Sequence, residues 1–348
     1  MSTTIGSLLD EHPSNPVQDT GYYTDSRKKW QDRYPTITNL LVQTCVLVSG
    51  CVTAKFDSFQ PLQYDDELRL SELAYPPNRR SWRLASDADA GNWFHHEISN
   101  IVISAWAKYP NLLQIAEAPA LAEVRVDETV DVLYSVTQEN NTMRLPVAAG
   151  EWKRNTINAR EWQMGTLKSV TQQRLGQELR GYADKYECPQ IFCFDGSTLL
   201  MLQFRADYKS KIKDAKCEVD CWVIPRENEG GCTLRYCLYR LLVQGFRKCQ
   251  GLRSYEVCLG GLRPSFRQFY SGRLVWNTDG RDSGYHPPGY ATVMDNSCGA
   301  FYWTHNGNHC LDGVNRVWDT QSFWHLVQLN EEVEQEGQRV VDEDIYNA

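Results

Sequence analysis

The pattern of apolar and polar positions divides the chain into several distinct textures. Residues 1–33 are polar, with scattered Pro, Asp and Ser, and read as an extended arm. Residues 36–54 (TITNLLVQTCVLVSGCVTA) are apolar enough for a helix or a buried strand. Residues 56–92 form a connector bearing PPNRR at 76–80 and DADAG at 87–91. Beyond Asn92, Ile98, Ile101, Val102, Ala105 and Trp106 recur at helical spacing, and Pro110 ends that helix. Ala122 to Val136 alternates in part and is rich in β-branched residues; Asn140-Asn141 is a turn signal, and Arg144 to Arg154 reads as the returning strand. Residues 168–187 predict an amphipathic helix. Gln190 to Phe194 and Thr198 to Arg205 predict a hairpin around Asp195-Gly196. Lys216 to Ile224 is a further strand, and Thr233 to Cys249 a second amphipathic helix. The order from residue 93 is α-β-β-α-β-β-β-α, which predicts a mixed α/β core. After residue 250, Gly, Pro and aromatic residues dominate, as irregular structure wrapped on the core with one helix near 319–329. The divisions are therefore an arm at 1–35, a helical or connector segment at 36–91, a core at 92–250, a lobe at 251–329 and a tail at 330–348.

Length adds that 348 residues suit about two domains, or one core with large additions. An apolar share of 42% with 23% charged residues excludes a wholly disordered or fibrous chain. The longest apolar run, Leu40 to Val52, is broken by Gln43, Thr44, Ser49 and Gly50, so no membrane helix and no membrane partner is expected. The first residues have no basic stretch followed by an apolar one, unlike a secretory leader. The 12 cysteines are then expected as reduced thiols, and the location as cytoplasmic.

Net charge is −8, but it is uneven. The tail from Asn330 carries −6, whereas residues 144–253 hold 19 Lys and Arg against 12 Asp and Glu. A basic middle suits a phosphate-bearing partner. Ordinary fluctuation along the chain is the competing explanation.

The sharpest chemical signal is Gly150-Glu151-Trp152-Lys153 at the end of a predicted strand. A carboxylate and a lysine two apart on a strand point to one face. Asp131 precedes them on the neighbouring strand, Glu97 lies on the preceding helix, and Gln173, Gln177 and Tyr182 lie on the following one. The bland alternative is an edge-strand ion pair between Glu151 and Lys153, worth little. Cys217, Cys221, Cys232 and Cys237 lack zinc-site spacing and read better as small buried thiols. The His305, His309 and Cys310 set lies in a Gly/Asn-rich loop, again a weak zinc signal.

The order helix Glu, strand Asp, strand Glu-x-Lys, helix Gln resembles the PD-(D/E)XK nuclease superfamily over roughly residues 92–225. That resemblance implies a nuclease-like α/β core. It implies catalytic roles for Glu97, Asp131, Glu151 and Lys153, with Gln173 or Gln177 as the helix glutamine. Its nuclease members hold Mg²⁺ on the carboxylates, here Asp131 and Glu151. Val130 stands where the family often has Pro.

The segments 150-GEWKR-154, 172-QQRLGQELRGYADKYECPQIFCFDG-196, 219-VDCWVIPRE-227 and 234-LRYCLYRLLVQGFRKCQG-251 resemble the arginine-containing cyclodipeptide synthases of fungal secondary metabolism. Such enzymes condense arginine with a second amino acid, both delivered as aminoacyl-tRNA, and the resemblance implies no metal cofactor. Gln173, Gln177, Tyr182 and Arg154 are then candidate substrate contacts, and Lys168, Arg174 and Arg180 candidate RNA contacts. Three functions follow as expectations: a tRNA-dependent synthase, a Mg²⁺-dependent nuclease, or a catalytically silent nucleic-acid-binding module.

Overall fold

A computed structural model describes residues 3–61, 69–107, 113–117, 129–137, 144–278, 280–295 and 298–321. Its centre is a seven-stranded mixed sheet. The strands, in chain order, are β1 (Leu40–Val42), β2 (Leu113–Glu117), β3 (Val132–Thr137), β4 (Arg144–Trp152), β5 (Gln190–Phe194), β6 (Thr198–Phe204) and β7 (Val219–Pro225). Their spatial order is β1-β7-β6-β5-β4-β3-β2. Two junctions are parallel, β4 with β5 and β7 with β1; the others are antiparallel.

The interior strands carry long apolar runs because both faces of the sheet are covered. Against one face lie α1 (Ile5–Leu9), α2 (Asp87–Phe94) and α5 (Leu234–Leu252), around Trp93, Phe94, Phe192 and Leu238. Against the other lie α3 (Ala159–Gln163) and α4 (Val170–Lys185), around Trp162, Leu175, Leu179 and Tyr182. Helix starts are fixed by side chains that accept an otherwise orphaned N–H. Ser86 caps α2, Ser169 caps α4 and Thr233 caps α5. Each such cap is worth about 1 kcal/mol. Gly196 forms the β5–β6 turn at φ +90°, a conformation costly for any residue with a side chain.

Several expectations change here. The helix expected beyond Asn92 begins six residues earlier, at Asp87, and continues through a π turn (His95–Ser99) to Ile103. Leu113–Glu117 is a strand that the pattern did not reveal. Residues 36–54 are β1 plus a hairpin of Thr44–Val46 with Val52–Ala54, not a helix. The N-terminal segment is no free arm: Ile5, Leu8 and Leu9 are buried in one core, and Trp30 and Tyr34 in the other. The lobe after residue 252 builds small sheets around Trp276 and Trp303. It is tied to the core by hydrogen bonds such as Gln190 Nε2 to the Tyr270 carbonyl, at 2.8 Å. The Asn140-Asn141 turn, the helix near 319–329 beyond Gln321 and the acidic tail lie outside the described residues. All 12 cysteines are free. Among the described residues no helix is long and apolar enough to cross a membrane.

Candidate active site

Strand β4 alternates sides. Trp152 packs with the α2-side core, while Ala149 faces α4. Glu151 shares the parity of Ala149 and so points toward α4. Lys153, just past the strand end, does the same: its Nζ lies 2.5 Å from Glu151 Oε1 and 3.2 Å from Glu178 Oε1. Glu178 Oε1 also accepts the Tyr182 hydroxyl at 2.9 Å. One ammonium thus holds two carboxylates, from a strand and a helix, with a phenol closing the group. All four residues are buried.

Asp131 completes the cluster. Val132 pairs with Gly150, so Asp131 stands opposite Glu151 one step further along the ladder. Its Oδ2 accepts the Trp152 N–H at 2.8 Å. Asp131 is the half-buried member, and the charges of Lys28 and Asp87 reach it. The N-terminal segment seals the rest. Trp30 meets Tyr182 edge-on at 5.3 Å, and Thr24 bonds the backbone of Arg154. Gly181 makes the close approach possible, since a Cβ there would lie 2.4 Å from Trp30.

Electrostatics divides the roles. Burial pushes the Glu151 carboxyl well above the ordinary carboxylate range; the nearby Asp131 and Glu178 carboxylates push the same way, and Lys153 opposes. Burial raises Asp131 as well, against the Trp152 N–H and Lys153. For Lys153, burial would lower proton affinity, but Glu151 and Glu178 reverse it, so the amine stays an ammonium. Burial raises the Tyr182 phenol, aided by Glu151 and Glu178, so it stays a donor. Burial thus shifts Glu151 and Asp131 toward their protonated forms, while Lys153 and Tyr182 keep their protons. One oxygen of Glu151 and one of Glu178 have no hydrogen-bond partner although buried. Such orphaned acceptors are costly.

A divalent ion would draw on Asp131 and Glu151. Lys153 binds one Glu151 oxygen, Oε1, and the other, Oε2, has no partner. Among the described residues no three His, Cys, Asp or Glu side chains converge as metal ligands. His305 stacks instead on Tyr290, and His309 lies against Tyr302 on a tilt of 55°.

Of the residues expected at the site, Asp131, Glu151, Lys153 and Tyr182 come together. Glu97 does not. It lies on the α2-side face, where its Oε1 accepts Asn15 Nδ2 at 2.8 Å and Trp82 Nε1 at 2.7 Å. Gln173 and Gln177 are on α4 but turn away, to the carbonyls of Leu167 and Tyr34. The α4 residue that faces Lys153 is Glu178, next to Gln177. Arg154 is buried structure rather than a substrate contact. It pairs with Asp19 at 2.6 Å and bonds the Asp195 carbonyl at 2.8 Å, joining the Val17–Asp19 strand to the sheet.

The basic middle is also less of a surface than its charge count implies. Of its 19 Lys and Arg, seven are buried: Lys153, Arg154, Arg180, Arg235, Arg240, Arg247 and Lys248. Arg180 donates to the Asp214 carbonyl and stacks over Phe204, so it is withdrawn from RNA contact. Lys168 is exposed and Arg174 half-exposed.

No family model matches the chain, and neither the curated proteins nor the solved structures contain a significant match to it.

Proposed function

We propose that the chain is an aminoacyl-tRNA-dependent cyclodipeptide synthase, forming arginine-containing cyclic dipeptides on a core of PD-(D/E)XK nuclease type. The order α2, β2, β3, β4, α3, α4, β5, with β4 parallel to β5, supports the core assignment. It puts Asp131, Glu151 and Lys153 at one end of neighbouring strands, the arrangement the resemblance implies. The observation that carries the chemistry is the Lys153 ammonium lodged between the Glu151 and Glu178 carboxylates. The cluster supplies its own cation beside a carboxyl of raised proton affinity. That suits acyl transfer from an ester that is already activated.

In each of two steps an α-amine attacks an ester carbonyl. A C–N bond forms, the ester C–O bond to the ribose breaks, and one proton passes from nitrogen to ribose oxygen. Glu151 takes that proton and returns it to the leaving oxygen. Lys153 and Tyr182 stabilise the oxyanion formed between. Asp131, the half-buried member, is placed to anchor a guanidinium. Arginyl-tRNA and a second aminoacyl-tRNA are the substrates in this account, and the cytoplasm is where both occur.

Expression in a bacterial host followed by mass spectrometry of the medium tests this. A new arginine-containing diketopiperazine, lost in Glu151→Gln, supports the synthase. Nicking of RNA or plasmid that needs Mg²⁺ and stops with chelator supports the nuclease instead. Neither product nor nicking leaves the silent binding module.

A further inference from the structure

The connector Pro76-Pro77-Asn78-Arg79-Arg80 crosses the π turn that follows α2, and the two enclose a pocket of about 260 Å³. Tyr75, Asn78, Arg80, His96 and Asn100 line it together with the two prolines. The connector is pinned from beneath. Asn15 Nδ2 donates to the Asn78 carbonyl at 3.0 Å and to Glu97 Oε1 at 2.8 Å, and the Arg80 N–H donates to Asn15 Oδ1 at 3.2 Å. The Arg80 guanidinium lies 5.3 Å from the Trp82 ring centre, and the His96 ring lies 5.6 Å from it on a tilt of 40°. Buried Glu97 thus fixes the shape of the pocket, which gives it a positioning role away from Glu151.

Arg80 in the lining and its chain neighbour Arg79 carry charge without a counter-ion. Arg79 and Arg80 are exposed, and neither has an acidic partner among the described residues. Tyr75 is 73% exposed, a flat apolar face beside those cations. Guanidinium groups without an acidic partner, beside an exposed aromatic side chain, match single-stranded nucleic acid, whose phosphates take the cations and whose bases stack. A free anion would have no use for Tyr75.

We propose that this pocket is a nucleotide subsite for single-stranded RNA, with phosphate on Arg79, Arg80 and His96 and a base on Tyr75. The inference rests on the RNA-dependent reading above and names where that RNA docks. Helix α2 gives the relation to the cluster. Asp87 at its start lies within electrostatic reach of Asp131, and His96 lies nine residues on. At 1.5 Å per residue the separation along the helix is about 14 Å.

The test is an anisotropy titration of the full chain with labelled deacylated tRNA and with a short single-stranded RNA, over a range of salt. Arg79→Glu with Arg80→Glu, and Tyr75→Ala separately, alter exposed side chains, and thermal melts check that the fold is kept. The double variant should bind at least about 10-fold more weakly, with the salt slope reduced by about two. Tyr75→Ala should lose about 5-fold or more at unchanged salt slope. Wild-type affinity and slope in both variants, with the native chain binding tRNA, would overturn the subsite and leave the RNA reading intact. No tRNA binding by the native chain would overturn both.

Discussion

At Glu151 three influences meet: complete burial, two neighbouring carboxylates and one ammonium. The folded chain holds the Glu151 proton more tightly than the unfolded chain does. Between the ordinary carboxyl value of about 4.3 and the raised one, the folded state therefore binds a proton the unfolded state has lost. The stability from that proton is complete below about pH 4.3 and declines as pH rises through the window. Glu151→Gln removes the decline, so thermal melts from acid to neutral pH should show the variant gaining on the native chain as pH rises. Parallel curves would place the titration elsewhere. Lys153→Ala leaves two buried carboxylates facing each other without a cation, and should cost about 3–5 kcal/mol in a denaturant titration. A loss below about 1 kcal/mol would show an exposed pair of little worth.

Among elements, the strongly patterned ones were readable from the chain. The expected 168–187 and 233–249 helices appear as Val170–Lys185 and Leu234–Leu252, because their apolar stripes and Ser or Thr caps agree. The start of α2 was missed although Ser86 followed by Asp89 is itself a cap signal: Ser86 accepts the Asp89 N–H and Asp89 bonds back to Ser86. Strand β2 was hidden in a short run just after Pro110. At the site, Asp131, Glu151 and Lys153 were legible from strand periodicity. Glu178 was not, because the resemblance directs attention to a glutamine. Its signal was helical spacing: Leu175, Glu178, Leu179 and Tyr182 share the buried face of α4. A carboxylate on that stripe needs a buried cation, and Lys153 is that cation. The contact between α4 and the N-terminal segment yields its own prediction. Gly181→Ala puts a methyl 2.4 Å from Trp30, so the segment around Arg27 and Lys28 should lift and trypsin should cut there faster than in the native chain. An unchanged cleavage rate would mean that Trp30 yields without loosening the cover.

For the whole molecule, charge had to be read after burial. The sum over residues 144–253 counts cations that serve the interior, which linear sequence cannot separate from surface ones. What remains exposed includes Lys168 and half-exposed Arg174, while Arg79 and Arg80 lie outside that block. If RNA is the partner, tRNA affinity should fall steeply with salt. Reversing Lys168 should lessen that slope by about one if it meets a phosphate. A salt-independent affinity would remove the RNA account. The synthase claim stands most directly on one measurement: cyclic dipeptide formed by purified protein from arginyl-tRNA and a second aminoacyl-tRNA, with and without chelator, for the native chain and Glu151→Gln. The account predicts product from the native chain that chelator leaves unchanged, and a rate about 10²–10⁴-fold lower in the variant. Product formation that chelator abolishes, or that Glu151→Gln retains in full, would contradict it.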